Sequence, residues 1–119
     1  MATKTLGYLR RCSDRRFGES TRAAFENTAG LGPNDYWDQA NPGGASVDTD
    51  PLMANYALAH GASMWGWQAH GDAYGGLSGR SNEEIQRLLD EQISAFKQHY
   101  PGRHFRIFVT EFEIDIQEV

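Results

Sequence analysis

The chain has 119 residues, enough for one hydrophobic core but not two, so residues 1–119 are expected to form a single domain. Hydrophobic residues make up 39% and aromatics 12%, which excludes a chain too polar to bury a core. A formal net charge of −5 argues against a broad nucleic-acid surface, and no stretch is apolar enough for a membrane span.

In chain order, Thr5 to Leu9 is a short run of strand type ending at RRCSD. From Ser20, STRAAFENTAG predicts a short helix with Ser20 at its N-cap and Gly30 at its C-cap. LGPND is a turn, and YWDQANPGGAS a brief strand running into a Gly-rich loop, since Pro42-Gly43-Gly44 does not continue a ladder easily. Asp50-Pro51 opens a helix that reaches about His60, with Asp50 at the N-cap and Pro51 as its first residue. The mostly apolar ASMWGWQAH, bounded by Gly61 and Gly71, suits a buried central strand. A second Gly-rich loop, GDAYGGLSGR, follows it.

Ser81-Asn82-Glu83-Glu84 is a capping box, and Ile85, Leu88, Leu89, Ile93, Phe96 and Tyr100 mark one face of a long helix that Pro101-Gly102 stops. RHFRIFVTEFEIDIQ predicts one terminal strand, its second half alternating Phe112, Ile114 and Ile116 with Glu111, Glu113 and Asp115. The alternation accounts for these carboxylates as one solvated or interface face. Strands and helices alternate, which predicts an α/β fold with a central, mostly parallel β-sheet flanked by helices. In such sheets ligands bind in loops beyond the carboxyl ends of strands. Cys12, Gly43-Gly44 and His70 follow the first three strands, so these loops are placed to meet.

Cys12 is the only cysteine and cannot close an intrachain disulfide. With an opening, MATKTLGYLRR, that holds no apolar run, this favours a reducing, cytoplasmic setting. Arg10, Arg11, Arg15, Arg16 and Arg22 make a basic cluster around the thiol in an acidic chain, which suggests a small anion or carboxylate partner. On an extended segment Cys12, Asp14 and Arg16 project to one side, and Arg16 can clamp Asp14 bidentately. A thiol and an imidazole on neighbouring strand ends suit three readings. They are ligands of a zinc ion, a Cys–His nucleophile pair, or a buried thiol beside a hydrogen-bonded histidine.

Cys12-x-Asp14-x-Arg16 resembles the metal-binding segment of the beta-class carbonic anhydrases. NPGGA is similar to the Gly-containing loop after their second strand. PLMANYALAHGASMWGWQAHGDAYGG is similar to their helix, central strand and zinc-histidine loop, and RHFRIFVTEFEIDI to their closing strand. The resemblance implies that Cys12 and His70 are zinc ligands and that Asp14 and Arg16 form the dyad controlling the metal's open position. It implies a zinc-bound hydroxide that attacks carbon dioxide or a similarly small substrate, and a homodimer. The family's second zinc cysteine falls at Ala73, which cannot ligate. Zinc is then expected on Cys12, His70 and Asp14, or with a substitute such as Asp72 or Tyr74. The alternative is a metal-free, catalytically inactive binding or structural module.

Other residues read as structural. Trp65 and Trp67 suit core or subunit packing. His60 suits a helix C-terminus. His99 and His104, flanking Pro101-Gly102, are expected at the surface.

Overall fold

The computed structural model describes residues 4–71 and 79–119. Strands β1 (Leu6–Cys12), β2 (Tyr36–Asn41), β3 (Ala62–His70), β4 (Arg103–Val109) and β5 (Ile114–Glu118) form one sheet in the order β2-β1-β3-β4-β5. The first four run parallel, and β5 pairs antiparallel with β4. Among the described residues three α-helices connect them, α1 (Gly18–Ala29), α2 (Leu52–Ala59) and α3 (Asn82–His99), with a 3-10 turn at Gly44–Ser46. This is the mostly parallel α/β architecture that the alternating elements predict. No helix among the described residues is long and apolar enough to cross a membrane.

Side chains alternate across the strands, so the sheet has two packed faces. Tyr8, Trp65, Trp67 and Phe108 meet Ile85, Leu89, Ile93 and Phe96 of α3 and Ala54 and Ala57 of α2. On the other face Leu9, Met64, Phe105 and Ile107 meet Phe25 and Ala29 of α1. Each large apolar side chain so buried contributes about 1.5–3 kcal/mol. Trp65 and Trp67 are fully buried, as core packing predicts.

Their indole N–H groups are also bonded: Trp65 Nε1 donates to the Pro101 carbonyl and Trp67 Nε1 to His104 Nδ1, both at 3.0 Å. His104 is therefore buried rather than at the surface, because β4 carries it under Trp67. His99 is exposed, as expected.

The helix ends follow their caps. Ser81 Oγ accepts from the Glu84 amide at 3.1 Å, as the capping box requires. α2 starts one residue later than expected, at Leu52 with Pro51 at the N-cap, and Asp50 Oδ1 accepts from the Leu52 amide at 3.1 Å from just outside it. At the other end of this helix His60 Nδ1 donates to the Tyr56 carbonyl at 2.8 Å. α1 starts before Ser20, at Gly18, because a turn in which the Phe17 amide donates to the Asp14 carbonyl (3.3 Å) has already coiled the chain. Ser20 sits in the first turn, its hydroxyl donating to the Phe17 carbonyl.

The single terminal strand expected from Arg103 to Gln117 is a hairpin, β4 and β5. The Thr110 amide donates to the Glu113 carbonyl at 2.9 Å, and Thr110 Oγ1 accepts from the amides of Phe112 and Glu113. These bonds reverse the chain and leave Phe112 91% exposed at the tip. Hydrophobic alternation does not register such a reversal, because the two halves keep the same period.

A guanidinium lies inside. Arg10 is 1% exposed, with its guanidinium 5.1 to 5.6 Å from the ring centroids of Tyr8, Trp67 and Phe96. It donates to Tyr8 Oη (2.9 Å) and to the carbonyl oxygens of Asp48 (2.7 Å) and Asp50 (2.6 Å). Asn41 Nδ2 and Gln39 Nε2 donate to the Asp48 carboxylate. The segment leading from β2 to α2 is thereby tied to the sheet.

Candidate functional site

The chain leaves β1 for β2 on one side, while β3 lies on the other, which makes the β1/β3 boundary a topological switch point. The β1–β3 ladder runs only to Arg10 opposite Trp67. Beyond it β1 stays with β2, Cys12 opposite Asn41, and β3 stays with β4, His70 opposite Val109. The two strand ends splay, and Cys12 and His70 are their last residues.

Cys12 Sγ and His70 Nε2 are 3.2 Å apart across this crevice. His70 Nδ1 faces the Gly71 carbonyl at 2.7 Å, and a carbonyl can only accept, so Nδ1 carries a proton and Nε2 is turned to the sulfur. The His70 ring packs against Phe17, centroids 4.8 Å apart. Cys12 is 7% exposed and His70 2%. Burial pushes the Cys12 thiol up, but the hydrogen bond with His70 and the backbone N–H groups of Asp14 and Gly43 outweigh it and bring the thiol below its ordinary value. For His70 burial pushes down, and its bonds to Cys12 and the Gly71 carbonyl, with the charges of Cys12 and Asp14, more than restore it. Both shifts run in the direction of the thiolate–imidazolium form.

Asp14 lies beside it, Oδ2 3.6 Å from His70 Nε2. Arg16 clamps this carboxylate: Nε is 3.1 Å from Oδ1, Nη2 2.9 Å from Oδ2, and the Arg16 amide donates to Oδ1 at 3.0 Å. These bonds hold Asp14 down at about 2. Cys12, Asp14 and Arg16 do converge, but not through the alternation of an extended strand. β1 ends at Cys12, and an Asx turn closed by the Asp14 side chain brings Arg16 back over its own carboxylate. Arg16 Nη1 also donates to Glu111 Oε1 (3.1 Å), so the β4–β5 turn reaches the site.

The basic cluster is met mostly from within the chain. Arg11 pairs with Asp38 at 2.9 Å, Arg22 lies 3.9 Å from the same carboxylate, and Arg10 is in the core. His60 belongs to the far edge of the sheet. It precedes β3, whose nine residues at about 3.3 Å each separate it from His70 by roughly 30 Å.

The Gly43-Gly44 loop meets the site through its backbone. Gly44 has φ +56°, and a Cβ there would lie 2.4 Å from the Gln68 carbonyl oxygen and 2.8 Å from the Cys12 nitrogen. Gln68 is a site neighbour that motif reading missed. It is fully buried, and its Oε1 accepts from the Cys12 amide at 2.8 Å. A polar residue at i−2 from a predicted strand-end histidine carries no spacing signature of its own.

For zinc, Cys12 Sγ and His70 Nε2 are donors of the right kind, and the Nδ1–carbonyl bond orients the imidazole as metal sites require. Asp14 is tied to Arg16 by both oxygens. Among the described residues no set of three or more His, Cys, Asp or Glu side chains is arranged to hold a metal ion. Asp72, Ala73 and Tyr74 lie outside the described residues. No protein-family model, curated protein or solved structure matches this chain.

Proposed function

We propose that this chain is a carbonic anhydrase-like protein that takes carbon dioxide, bicarbonate or a similarly small substrate at the carboxyl ends of β1 and β3. The observation that carries the reading is the meeting of Cys12, Asp14, Arg16 and His70, residues up to 58 positions apart that stand in the order the resemblance assigns them. Arg16 keeps Asp14 ionised and pointed, so the carboxylate can accept a hydrogen bond from an O–H group, that of a reacting water or of bicarbonate. Phe17 and the burial of His70 keep bulk water from this edge of the pair.

Zinc, when bound, would supply the acidified water. The zinc reading names Cys12, His70 and Asp14 as its protein ligands and requires Asp14 to release Arg16. The metal-free reading, a binding module without catalysis, is favoured by one observation. The Cys12–His70 hydrogen bond and the Asp14–Arg16 clamp satisfy each other as they stand.

Elemental analysis after zinc incubation, with Cys12→Ser alongside, decides between them. Stoichiometric zinc lost in Cys12→Ser, with carbon dioxide hydration lost in Asp14→Asn, supports the enzyme. No retained metal and no hydration leaves the binding module. A cytoplasmic setting fits an unpaired thiol. A homodimer would cover the apolar surface of α2, where Leu52 is 76% and Tyr56 53% exposed. A monomeric mass by light scattering at micromolar concentration refutes it.

A further inference from the structure

We infer that Gln68 is the positioning residue of this site, holding Cys12 in reach of His70. Where the β1–β3 ladder ends, the Cys12 amide loses the strand partner that a continued ladder would supply. Gln68 supplies one from its side chain: Oε1 accepts from the Cys12 amide at 2.8 Å. Its Nε2 donates to Thr21 Oγ1 at 3.0 Å, in the first turn of α1. One buried amide thus spans the splay and links β1, β3 and α1 at the point where the thiol meets the imidazole.

Both Gln68 and Thr21 are 0% exposed. Burying an amide costs free energy unless every polar atom is bonded, whereas methionine or leucine would fill the space without that cost. The amide at position 68 is accounted for by the two bonds it makes. The Gln68 backbone is closely packed too, since a Cβ at position 44 would lie 2.4 Å from its carbonyl oxygen. The inference rests on this geometry alone, so it stands or falls independently of the substrate and of zinc.

The test uses the whole chain, labelled with nitrogen-15, and reads the ring nitrogens of His70 by long-range proton–nitrogen correlation. Cys12→Ala gives the reference in which the sulfur contact is absent. Gln68→Met is expected to move the His70 signals most of the way to that reference. Gln68→Glu, a carboxyl that burial keeps protonated, retains one oxygen as acceptor for the Cys12 amide and an O–H that donates to Thr21 Oγ1, and is expected to stay near wild type. The ring signals of His104, in a separate part of the core, should hold in all variants.

A purely structural role lowers the melting temperature without moving His70. Unchanged His70 signals in a folded Gln68→Met protein, or an equal displacement in Gln68→Glu, would overturn the inference. If Gln68→Met does not fold, Thr21→Val removes only the outer anchor. It should move His70 in the same direction by less, and no movement there overturns the inference as well.

Discussion

Gly44→Ala, set against Gly30→Ala, tests how tightly the loop after β2 is locked to the site. Both glycines adopt left-handed backbone, φ +56° at Gly44 and +72° at Gly30. An alanine at either position carries the left-handed penalty of about 1–2 kcal/mol. At Gly30, which caps α1, a Cβ meets nothing within 4 Å, so the penalty is the whole effect. At Gly44 the new Cβ would sit 2.4 Å from the Gln68 carbonyl oxygen, 2.8 Å from the Cys12 nitrogen and 3.2 Å from the Arg11 carbonyl carbon, all backbone.

Backbone in the middle of a parallel sheet cannot swing aside as a side-chain end can. Forced displacement of this kind costs roughly a further 1–3 kcal/mol. The expected losses are therefore about 1–2 kcal/mol for Gly30→Ala and about 2–5 kcal/mol for Gly44→Ala, against a total stability of roughly 5–15 kcal/mol. Urea unfolding of both variants, compared at equal m-values, measures the difference. Equal losses would refute the reasoning, because they would mean that the strand ends carrying Cys12 and Gln68 yield freely to a methyl group.

The remaining predictions concern buried polarity. Burial pushes His104 below 6.5, and only its neutral form can accept from Trp67 while donating to the Tyr100 carbonyl. A depressed folded-state value means stability that is complete above 6.5 and lost as pH falls from there through the folded value. His104→Gln should flatten that loss in unfolding curves taken between pH 7.5 and about 5, and a wild-type slope in the variant would refute it. His70 is raised, so its share has the opposite sign, complete below 6.5 and lost as pH rises through its folded value. Asp14 falls from 3.8 to about 2, chiefly through its hydrogen bond with Arg16, so it contributes stability above 3.8 that is lost as pH falls to about 2. Asp14→Asn should remove that acid limb, measured by circular dichroism during acid titration; an unchanged limb would place the linkage elsewhere. Arg10→Met removes the three hydrogen bonds that the buried guanidinium donates and should cost at least about 3 kcal/mol by urea unfolding. A loss under about 1 kcal/mol would show that the 48–50 segment holds without its guanidinium anchor.

Much of the fold was legible because its signals are local. The capping box at Ser81, the apolar face from Ile85 to Phe96, and the apolar run ending at His70 each depend on residues a few positions apart. The hairpin at Thr110 was not legible, since its reversal is made by one threonine hydroxyl and a backbone bond within an unbroken alternation. His104 misled for a similar reason. A histidine beside a Pro-Gly break looks exposed until β4 is laid under Trp67, 37 positions away.

By itself the sequence determined the α/β class, the parallel core strands and the chemical identities that gather at the site: one thiol, one imidazole and an Asp–Arg pair. Spacing and side-chain type suffice for these, because periodicity and local hydrogen bonding set them. Only the tertiary structure decided that Cys12 and His70 touch at 3.2 Å, that the basic cluster is largely answered by the chain's own carboxylates, and that Gln68 bridges the splayed strands. Those outcomes depend on where two ladders part. At the parting point the Gly44 backbone packs against the Cys12 nitrogen and the Gln68 carbonyl oxygen, a long-range contact that no single segment contains.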